Sequence, residues 1–411
     1  MHSFHSTVSE IRIGIRLVWN TQLDWVIVRF GGEIGIKSEW TRRAYERLLL
    51  KNIKSALKHF DNTYDEIVSI RGRIYVRTCD PEKVASTLTR VFGVSSASPA
   101  KQTNSNIEEI ACTAMQLAEA TIHSRNTFAV RCHRVGKHDY SSMDICRLVG
   151  QNILTKLKSR KVRVDLTNPR HTVSIEVRDD KAYVFAESLQ CPGGFPVGSQ
   201  DKVVCLLSGG IDSPVACWLA MKRGCTILPV YFDNAPLTDE TTTARALDTA
   251  KKLFEWSIGY PRKVYIVPNG KNLQTFIKDA PRRFTCLLCK RMMYRIAEHI
   301  AENERAQGVV TGEAIGEQAS QTITNLRVLD EAATSYPIHR PLLGFDKTET
   351  EAIAKRIGTF EISVREAKDC TAAPDKPATK ADLRKVKEAE ERIDIPNLVE
   401  EAVRAAKILT V

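Results

Sequence analysis

The stretch VVCLLSGGIDSPVACWLAMKRG, residues 203–224, decides the reading of this chain. It opens with a short apolar run of the kind found in a strand covered on both faces of a parallel sheet. Ser208-Gly209-Gly210-Ile211-Asp212-Ser213 follows, then a helical pattern in which Pro214 suits the first helical position behind a Ser213 cap. Strand, glycine turn and helix N-terminus in that order make an anion site. The glycines let backbone N–H groups approach phosphate oxygens, Ser208 and Ser213 add hydroxyl donors, and the helix end supplies positive potential. The loop is neither the lysine-bearing GxxxxGK of Walker A nor the GxGxxG of dinucleotide folds, so hydride transfer and ordinary γ-phosphate cleavage lose support. A carboxylate at Asp212 among phosphates makes electrostatic sense only if a cation bridges them.

Working outward, TILPVYF (226–232), KVYIVP (263–268) and GVVTG (308–312) are further apolar strands separated by helical patterns. They predict a doubly wound, parallel-sheet α/β domain from residue 201 to about 370, followed by a charged, helix-rich tail from Lys376 to Val411. After GVV, the turn VTGEAIGEQASQT offers Gly312, Glu313, Gln318, Ser320 and Gln321 at a strand end, a polar cluster suited to ligand contacts. On the other side, the turn-rich CPGGFPVGSQ (191–200) is the strongest domain boundary in the chain. Before it, DWVIVRFGGEIGIK (from Asp24), the amphipathic helix 40–60, the hairpin 66–78 and the helix from Pro81 predict one small α+β unit. Helix 107–122, strand 127–136, helix 142–157 and a hairpin across Asp179-Asp180 predict a second.

The 411 residues and 46.1 kDa exceed one ordinary core, so two or three domains are expected. Sixty Lys+Arg against 49 Asp+Glu give a net charge of +11, which favours polyanionic partners, nucleic acid first. A 43% hydrophobic content with 21 Gly and 16 Pro excludes disorder and collagen. No stretch has the length and apolarity of a membrane span, and MHSFHSTVSEIRIGIRLVW lacks the apolar core of a signal peptide, so a cytoplasmic protein is expected. Eleven scattered cysteines predict reduced thiols rather than a disulfide framework. Cys79, Cys112, Cys132, Cys146, Cys191, Cys205, Cys217 and Cys225 read as small core residues. Three stand apart: Cys286 and Cys289 in TCLLCKRMM, and Cys370 in KDCTAAPDKP. Lys290 and Arg291 beside the CxxC form an electropositive setting expected to lower thiol pKa values.

SGGIDS resembles the pyrophosphate loop (PP-loop) of the ATP pyrophosphatases, which adenylate a carbonyl or amide oxygen and release pyrophosphate. The segments RVGKHDYSS, CPGGFPVGSQ, LLSGGIDSPVA, KRMMYRIAE, VTGEAIGEQASQT, PLLGFDKTETEAIAKRIGT and DCTAAPDKP, in this order, resemble the tRNA 4-thiouridine synthetase family over nearly the whole chain. Seven motifs in order are a specific match. The resemblance implies a ferredoxin-like domain (1–84), an RNA-binding THUMP domain (85–195) and a PP-loop ATP pyrophosphatase domain (196–411). It also implies that uridine 8 of tRNA is adenylated on O4 and that sulfur then displaces AMP. Some relatives in addition supply sulfur for the thiazole of thiamin.

Carried over by position, Ser208, Gly209, Gly210, Asp212 and Ser213 hold the ATP phosphates, with Asp212 acting with Mg²⁺. Leu206, Leu207, Tyr231 and Phe232 frame adenine and ribose, and Arg291, Gly312 and Gln321 complete the ATP contacts, with Arg295 as an alternative to Arg291. Cys370 matches the catalytic thiol of bacterial members, which carry their persulfide on a rhodanese domain. This chain stops at Val411 and carries the CxxC, and is expected to follow the rhodanese-lacking archaeal type. There Cys286, Cys289 and Cys370 would hold an iron–sulfur cluster with one iron open to hydrosulfide. Disulfide or persulfide exchange, a zinc site with His299 as fourth ligand, and plain structural cysteines are the alternatives. The sulfur donor is expected to be sulfide or a cysteine desulfurase persulfide, and a homodimer is left open. Arg131, Arg134, Lys137 and His138 form the expected RNA loop, within a run of basic residues that includes Arg29, Lys37, Arg42, Arg43 and Arg170. The rival readings are a pyrophosphatase acting on a small molecule, a tRNA thiolase modifying another base, and a non-catalytic RNA-binding or sulfur-relay protein.

Overall fold

The structure, a computed structural model, describes residues 24–70, 72–368 and 370–411, so the N-terminal extension lies outside the described residues. The chain divides into two units, one of residues up to Ser38 with Ile53–Gly193, the other of Glu39–Asn52 with Gly194–Val411. The change at Gly193/Gly194 falls inside CPGGFPVGSQ.

The first unit is built on a sheet of nine short strands: β1 (Asp24–Phe30), β2 (Glu66–Ile70), β3 (Arg73–Thr78), β4 (Val94–Asn104), β5 (Thr127–Val135), β6 (Arg163–Val164), β7 (His171–Arg178), β8 (Lys181–Phe185) and β9 (Leu189–Gln190). Their order is β2-β3-β1-β4-β8-β7-β5-β6, with β9 also on β4. The eleven-residue β4 belongs to both halves of this sheet. Its first part pairs antiparallel with β1, from Val94 opposite Phe30 to Ala100 opposite Trp25. Its last four residues pair with β8, Lys101 opposite Val184. The 84/85 boundary expected from sequence falls inside the helix Pro81–Leu88, which buries Val84, Ala85 and Leu88. The hairpin across Asp179-Asp180 is present, with Arg178 opposite Lys181. The helices Ile107–Thr121 and Ser142–Lys156 cover one core with Phe128, Val173 and Ile175.

The second unit carries a six-stranded sheet: β10 (Lys202–Leu206), β11 (Thr226–Asp233), β12 (Lys263–Pro268), β13 (Val309–Val310), β14 (Ile338–His339) and β15 (Lys407–Thr410). The order β14-β13-β10-β11-β12-β15 confirms the doubly wound architecture, with β10 to β14 mutually parallel. The tail differs from its helical reading, because its last residues return as β15, an antiparallel edge strand on β12. The chain runs outward from β10 through β11 and β12, then reverses to β13 on the other side. The crevice at the carboxyl end of β10 and β13 is therefore the topological switch point, where open α/β sheets bind ligands. The helix Asp212–Lys222 buries Val215, Ala216, Cys217, Trp218, Ala220 and Met221, and a helix apolar nearly all round belongs in a core. No helix among the described residues is long and apolar enough to cross a membrane.

Candidate active site

The loop after β10 holds itself open through its two serines. The Ser208 backbone N–H donates to Ser213 Oγ at 3.0 Å, the two hydroxyls lie 3.1 Å apart, and the Gly210 N–H donates to Ser208 Oγ at 3.3 Å. Ser363 Oγ fixes the outer side by donating to the Gly210 carbonyl at 3.2 Å. The expectation that Ser213 caps the helix is corrected. The helix starts at Asp212 behind Ile211, has no side-chain cap, and sends the Ser213 hydroxyl back into the loop. An uncapped N-terminus at the mouth of a glycine turn is the arrangement that receives an anion.

Two glycines are required by space. Gly209 has φ +76°, and a Cβ there would stand 3.0 Å from the Ala246 nitrogen. A Cβ on Gly312 would lie 2.6 Å from the Ser213 nitrogen and 2.8 Å from the Asp212 carbonyl carbon. Gly312 therefore acts by letting the β13 turn lie directly against the first turn of the loop helix.

Sequence reasoning did not single out two residues that complete the loop. Lys347, first residue of the helix Lys347–Ile357, places Nζ 3.0 and 3.3 Å from the two Asp212 carboxylate oxygens and 2.6 Å from Glu317 Oε1. Burial raises the Asp212 carboxyl above its ordinary range, a rise that Lys347 opposes and Glu317 reinforces. The same pairing raises the Lys347 ammonium. Both residues lie inside quoted motifs, PLLGFDKTE and GEAIGEQ, but only the fold brings them to Asp212.

The residues expected around adenine are walls more than free contacts. Leu207, Tyr231 and Phe232 are buried, and Phe232 with Leu206 packs into the main core of this unit. Tyr231 holds its hydroxyl toward Thr243, whose Oγ1 donates to it at 3.3 Å. Gln321 is 6% exposed, and its Oε1 is buried with no hydrogen-bond partner. A buried amide oxygen left unmatched is costly, and an N–H from a bound nucleotide would satisfy it.

Arg291 requires a correction. It is 0% exposed, donates from Nε and Nη2 to Glu390 at 2.8 and 2.7 Å, donates from Nη2 to Glu331 at 2.7 Å, and hydrogen-bonds the Val328 carbonyl. Arg295 joins Glu390 at 2.8 and 2.9 Å, so neither arginine is offered to ATP. The motif KRMMYRIAE fixed their place on a helix but not their face.

Beneath the β13 turn, Glu313 accepts from Lys290 Nζ at 3.0 Å, Arg340 Nε at 2.8 Å, Thr311 Oγ1 at 3.1 Å and the Tyr294 hydroxyl at 2.5 Å. Burial alone would raise its carboxyl, but Lys290, Tyr294 and Arg340 hold it down to about 2. Because the folded value lies below the ordinary 4.5, this stabilisation is complete above pH 4.5 and is lost as pH falls from 4.5 through about 2. The gap corresponds to about 3 kcal/mol. In urea unfolding between pH 7 and pH 2.5, Glu313→Gln should be less stable at pH 7 and lose less on acidification. An acid slope as steep as the parent's would show that the carboxylate does not produce it.

The three singled-out cysteines share one neighbourhood. Cys289 and Cys370 lie in an apolar cluster with Leu273 and Ala372, and Cys286 sits one turn before Cys289 on the helix Thr285–Glu304. Among the described residues no three His, Cys, Asp or Glu side chains stand at metal-holding distances. The expected acidification of the CxxC thiols is also corrected. Burial raises Cys286, and pushes Cys289 up to about 12 despite a hydrogen bond from Asn269 Nδ2 at 3.5 Å. The physical reason is that desolvation outweighs the attraction of Lys290, which still lowers both thiols.

In the first unit the loop RVGKHDYSS is ordered by its own contacts. Arg134 Nη1 lies 3.2 Å from His138 Nδ1, His138 Nε2 2.6 Å from the Asp179 carbonyl, and the His138 ring stacks on Tyr140 at 5.3 Å. Lys137 and Arg131 are exposed, with Arg131 Nη2 3.4 Å from the Leu166 carbonyl. Sequence reasoning missed Glu176, which is buried and accepts from Arg29 at 3.1 Å, Arg73 at 3.1 Å and Arg178 at 2.5 Å. Burial would raise this carboxyl, yet the three guanidiniums keep it low. One carboxylate fixes three cations and leaves positive charge over.

Family profiles match three stretches in chain order: the ThiI ferredoxin-like domain at residues 25–98, the THUMP domain at 104–187, and "Thiamine biosynthesis protein (ThiI)" at 198–395. A Methanosarcina mazei protein named as a tRNA sulfurtransferase is 42% identical over 386 residues, covering 93% of this chain and 95% of that one. A Methanothermobacter thermautotrophicus protein of the same name is 38% identical over 392 residues, covering 93% and 96%. Among solved structures, a 4-thiouridine synthetase in complex with RNA and bound ATP superposes with a TM-score of 0.83 at 34% identity, covering 95% of this chain and 100% of that one. Identity and coverage at this level leave one assignment: the chain belongs to the tRNA sulfurtransferase (ThiI) family.

Proposed function

We propose that this protein is an ATP-dependent tRNA sulfurtransferase that converts uridine 8 of tRNA to 4-thiouridine. The observation that carries the reading is the phosphate loop at the switch point, with Gly312 packed on its helix and Asp212 held by Lys347. Uridine O4 attacks the α-phosphorus of ATP, and pyrophosphate leaves. A sulfur nucleophile then attacks C4, and AMP departs with the original O4.

Ser208, Gly209, Gly210 and Ser213 receive the phosphates on backbone and hydroxyl donors, and Gln321 offers its amide oxygen to the nucleotide. The residues present fit Mg²⁺: Asp212 and Glu317 already share one cation, the Lys347 ammonium. Those two carboxylates would hold the metal, which supplies charge neutralisation for the departing pyrophosphate. Lys347 is placed to turn from the carboxylates toward phosphate oxygens.

Sulfur delivery is assigned to Cys286, Cys289 and Cys370. Their common neighbourhood and soft thiol donor set support a three-thiolate iron–sulfur cluster, for which the side chains would have to draw together from their present positions; a bound cluster would supply hydrosulfide to the activated uridine. Holding it requires Cys286 and Cys289 to lose protons that burial now keeps in place, so cluster loading should release acid. Persulfide exchange on Cys370 is the alternative route, with a cysteine desulfurase as donor. The description of the matched family profile favours a second output, sulfur for the thiazole of thiamin.

We assign tRNA binding to the first unit, through Arg131, Arg134, Lys137 and His138 with the cations around Glu176, and expect it to weaken steeply with salt. The division into ferredoxin-like, THUMP and PP-loop parts and a cytoplasmic location belong to the same reading, with a homodimer left open. The test is nucleoside analysis of tRNA incubated anaerobically with reconstituted protein, ATP, Mg²⁺ and sulfide. 4-Thiouridine should form with the parent protein. Asp212→Ala should abolish pyrophosphate release, and Cys370→Ala should preserve pyrophosphate release but lose 4-thiouridine. Absence of 4-thiouridine with the parent protein would overturn the reading.

A further inference from the structure

The turns after β13 and β14 are tied into a closed ring of contacts around Asp212. At one end Gly312 lies against the Asp212–Ser213 backbone. At the other, Lys347 bridges Asp212 and Glu317. Between these ends the Ile315 N–H donates to the Leu343 carbonyl at 3.2 Å, and Arg340 anchors Glu313 at 2.8 Å. Leu342 and Ala314 point into the protein, 0% and 5% exposed, but their neighbours do not: Ile315 is 48% exposed and Leu343 38%. Gly316 and Gly344 flank the two side chains, and a Cβ at either position would meet nothing within 4 Å. Ile315 is three positions along the chain from Gly312, which keeps its backbone within roughly 15 Å of Asp212, and the Ile315–Leu343 hydrogen bond holds Leu343 beside it.

Ile315 and Leu343 expose branched apolar side chains on two turns joined by a backbone hydrogen bond, next to open glycine backbone, and a ligand with a flat apolar face would remove that surface from water. We propose that Ile315 and Leu343 form the shelf on which the extruded pyrimidine ring of the target nucleotide lies while its carbonyl oxygen faces the phosphate loop. The inference rests on the sulfurtransferase reading and adds the specificity element that it lacks. An enzyme that modifies a base must take it out of the stack and hold it between apolar surfaces. The phosphates and the acidic pair orient the reacting edge, but none of them can grip a ring face. Glycines on either side leave room for the sugar and backbone to pass. The ring has no net charge, which suits a shelf whose charged chain neighbours are already paired, Glu317 with Lys347 and Arg340 with Glu313.

The test compares the full-length parent, Ile315→Ser/Leu343→Ser, and the conservative Ile315→Leu/Leu343→Ile, each reconstituted and supplied with free sulfide so that no donor protein takes part. Single-turnover 4-thiouridine formation should fall at least tenfold in the serine pair and recover in the conservative pair. The dissociation constants for ATP and for tRNA should stay within twofold, because phosphate contacts supply both. Unchanged turnover would overturn the shelf. So would a loss of ATP affinity equal to the loss of rate, which would mark a distorted phosphate loop. In a parallel assay with a persulfide-carrying donor protein, a defect that is absent with free sulfide would overturn the shelf and reassign the patch to donor docking. If the parent itself forms no 4-thiouridine, it is the sulfurtransferase reading that fails.

Discussion

Gly312→Ala should cost about 100-fold in kcat/KM for ATP while the protein remains folded. The added methyl would meet backbone of Ser213 and Asp212 at 2.6 and 2.8 Å, and backbone cannot rotate aside as a flexible side chain can. Overpacking of this kind costs about 1–3 kcal/mol, a fraction of a domain's stability. Its effect on chemistry is larger, because the displaced element is the first turn of the helix that receives the phosphates, and a shift of about 1 Å at a reacting centre can cost about 10²-fold. Pyrophosphate release measured against ATP concentration checks this, with tRNA affinity as the control. An alanine variant within threefold of the parent would mean that the two turns are free to separate.

Arg291→Ala should act on stability instead. Removing the side chain leaves Glu390 and Glu331 facing the space of a lost guanidinium, and Glu390 keeps only Arg295. Breaking one partner out of a buried pair costs about 3–5 kcal/mol. For a unit of this size that lowers the melting temperature by roughly 10 °C. At low temperature, where the variant is still folded, ATP affinity should lie within threefold of the parent. Weakened ATP binding with an unchanged melting temperature would return Arg291 to the nucleotide site.

The contrast between these two residues explains how much the sequence could tell. The strand, glycine loop and helix around Ser208–Ser213 were legible because their signals are local: an apolar run, two glycines and a helix start within 22 residues. The alternation of apolar strands with helical patterns gave the doubly wound sheet for the same reason. Lys347 escaped because its partner Asp212 is 135 positions away, and charge pairing at that range leaves no periodicity to read. Glu176 escaped likewise, since Arg29 and Arg73 reach it from 147 and 103 positions distant. Arg291 was placed correctly on a helix, but which face of the helix meets the nucleotide depends on packing with the tail that carries Glu390. The thiols of Cys286 and Cys289 were misjudged because the basic neighbours are visible in the sequence whereas the burial that outweighs them is not. The edge strand Lys407–Thr410 is four residues long, too short for alternation to announce it.

The strand β4 carries a consequence of its own. One ribbon of eleven residues is the neighbour of β1 at its start and of β8 at its end, so the two halves of the first unit's sheet share the same stretch of backbone. A single inserted residue early in β4 would turn every following side chain to the opposite face, carrying the change across from one half into the other. Neither half can drift in length or alignment by itself. The spacing between the two ends of this ruler is fixed by the pleat of a single strand.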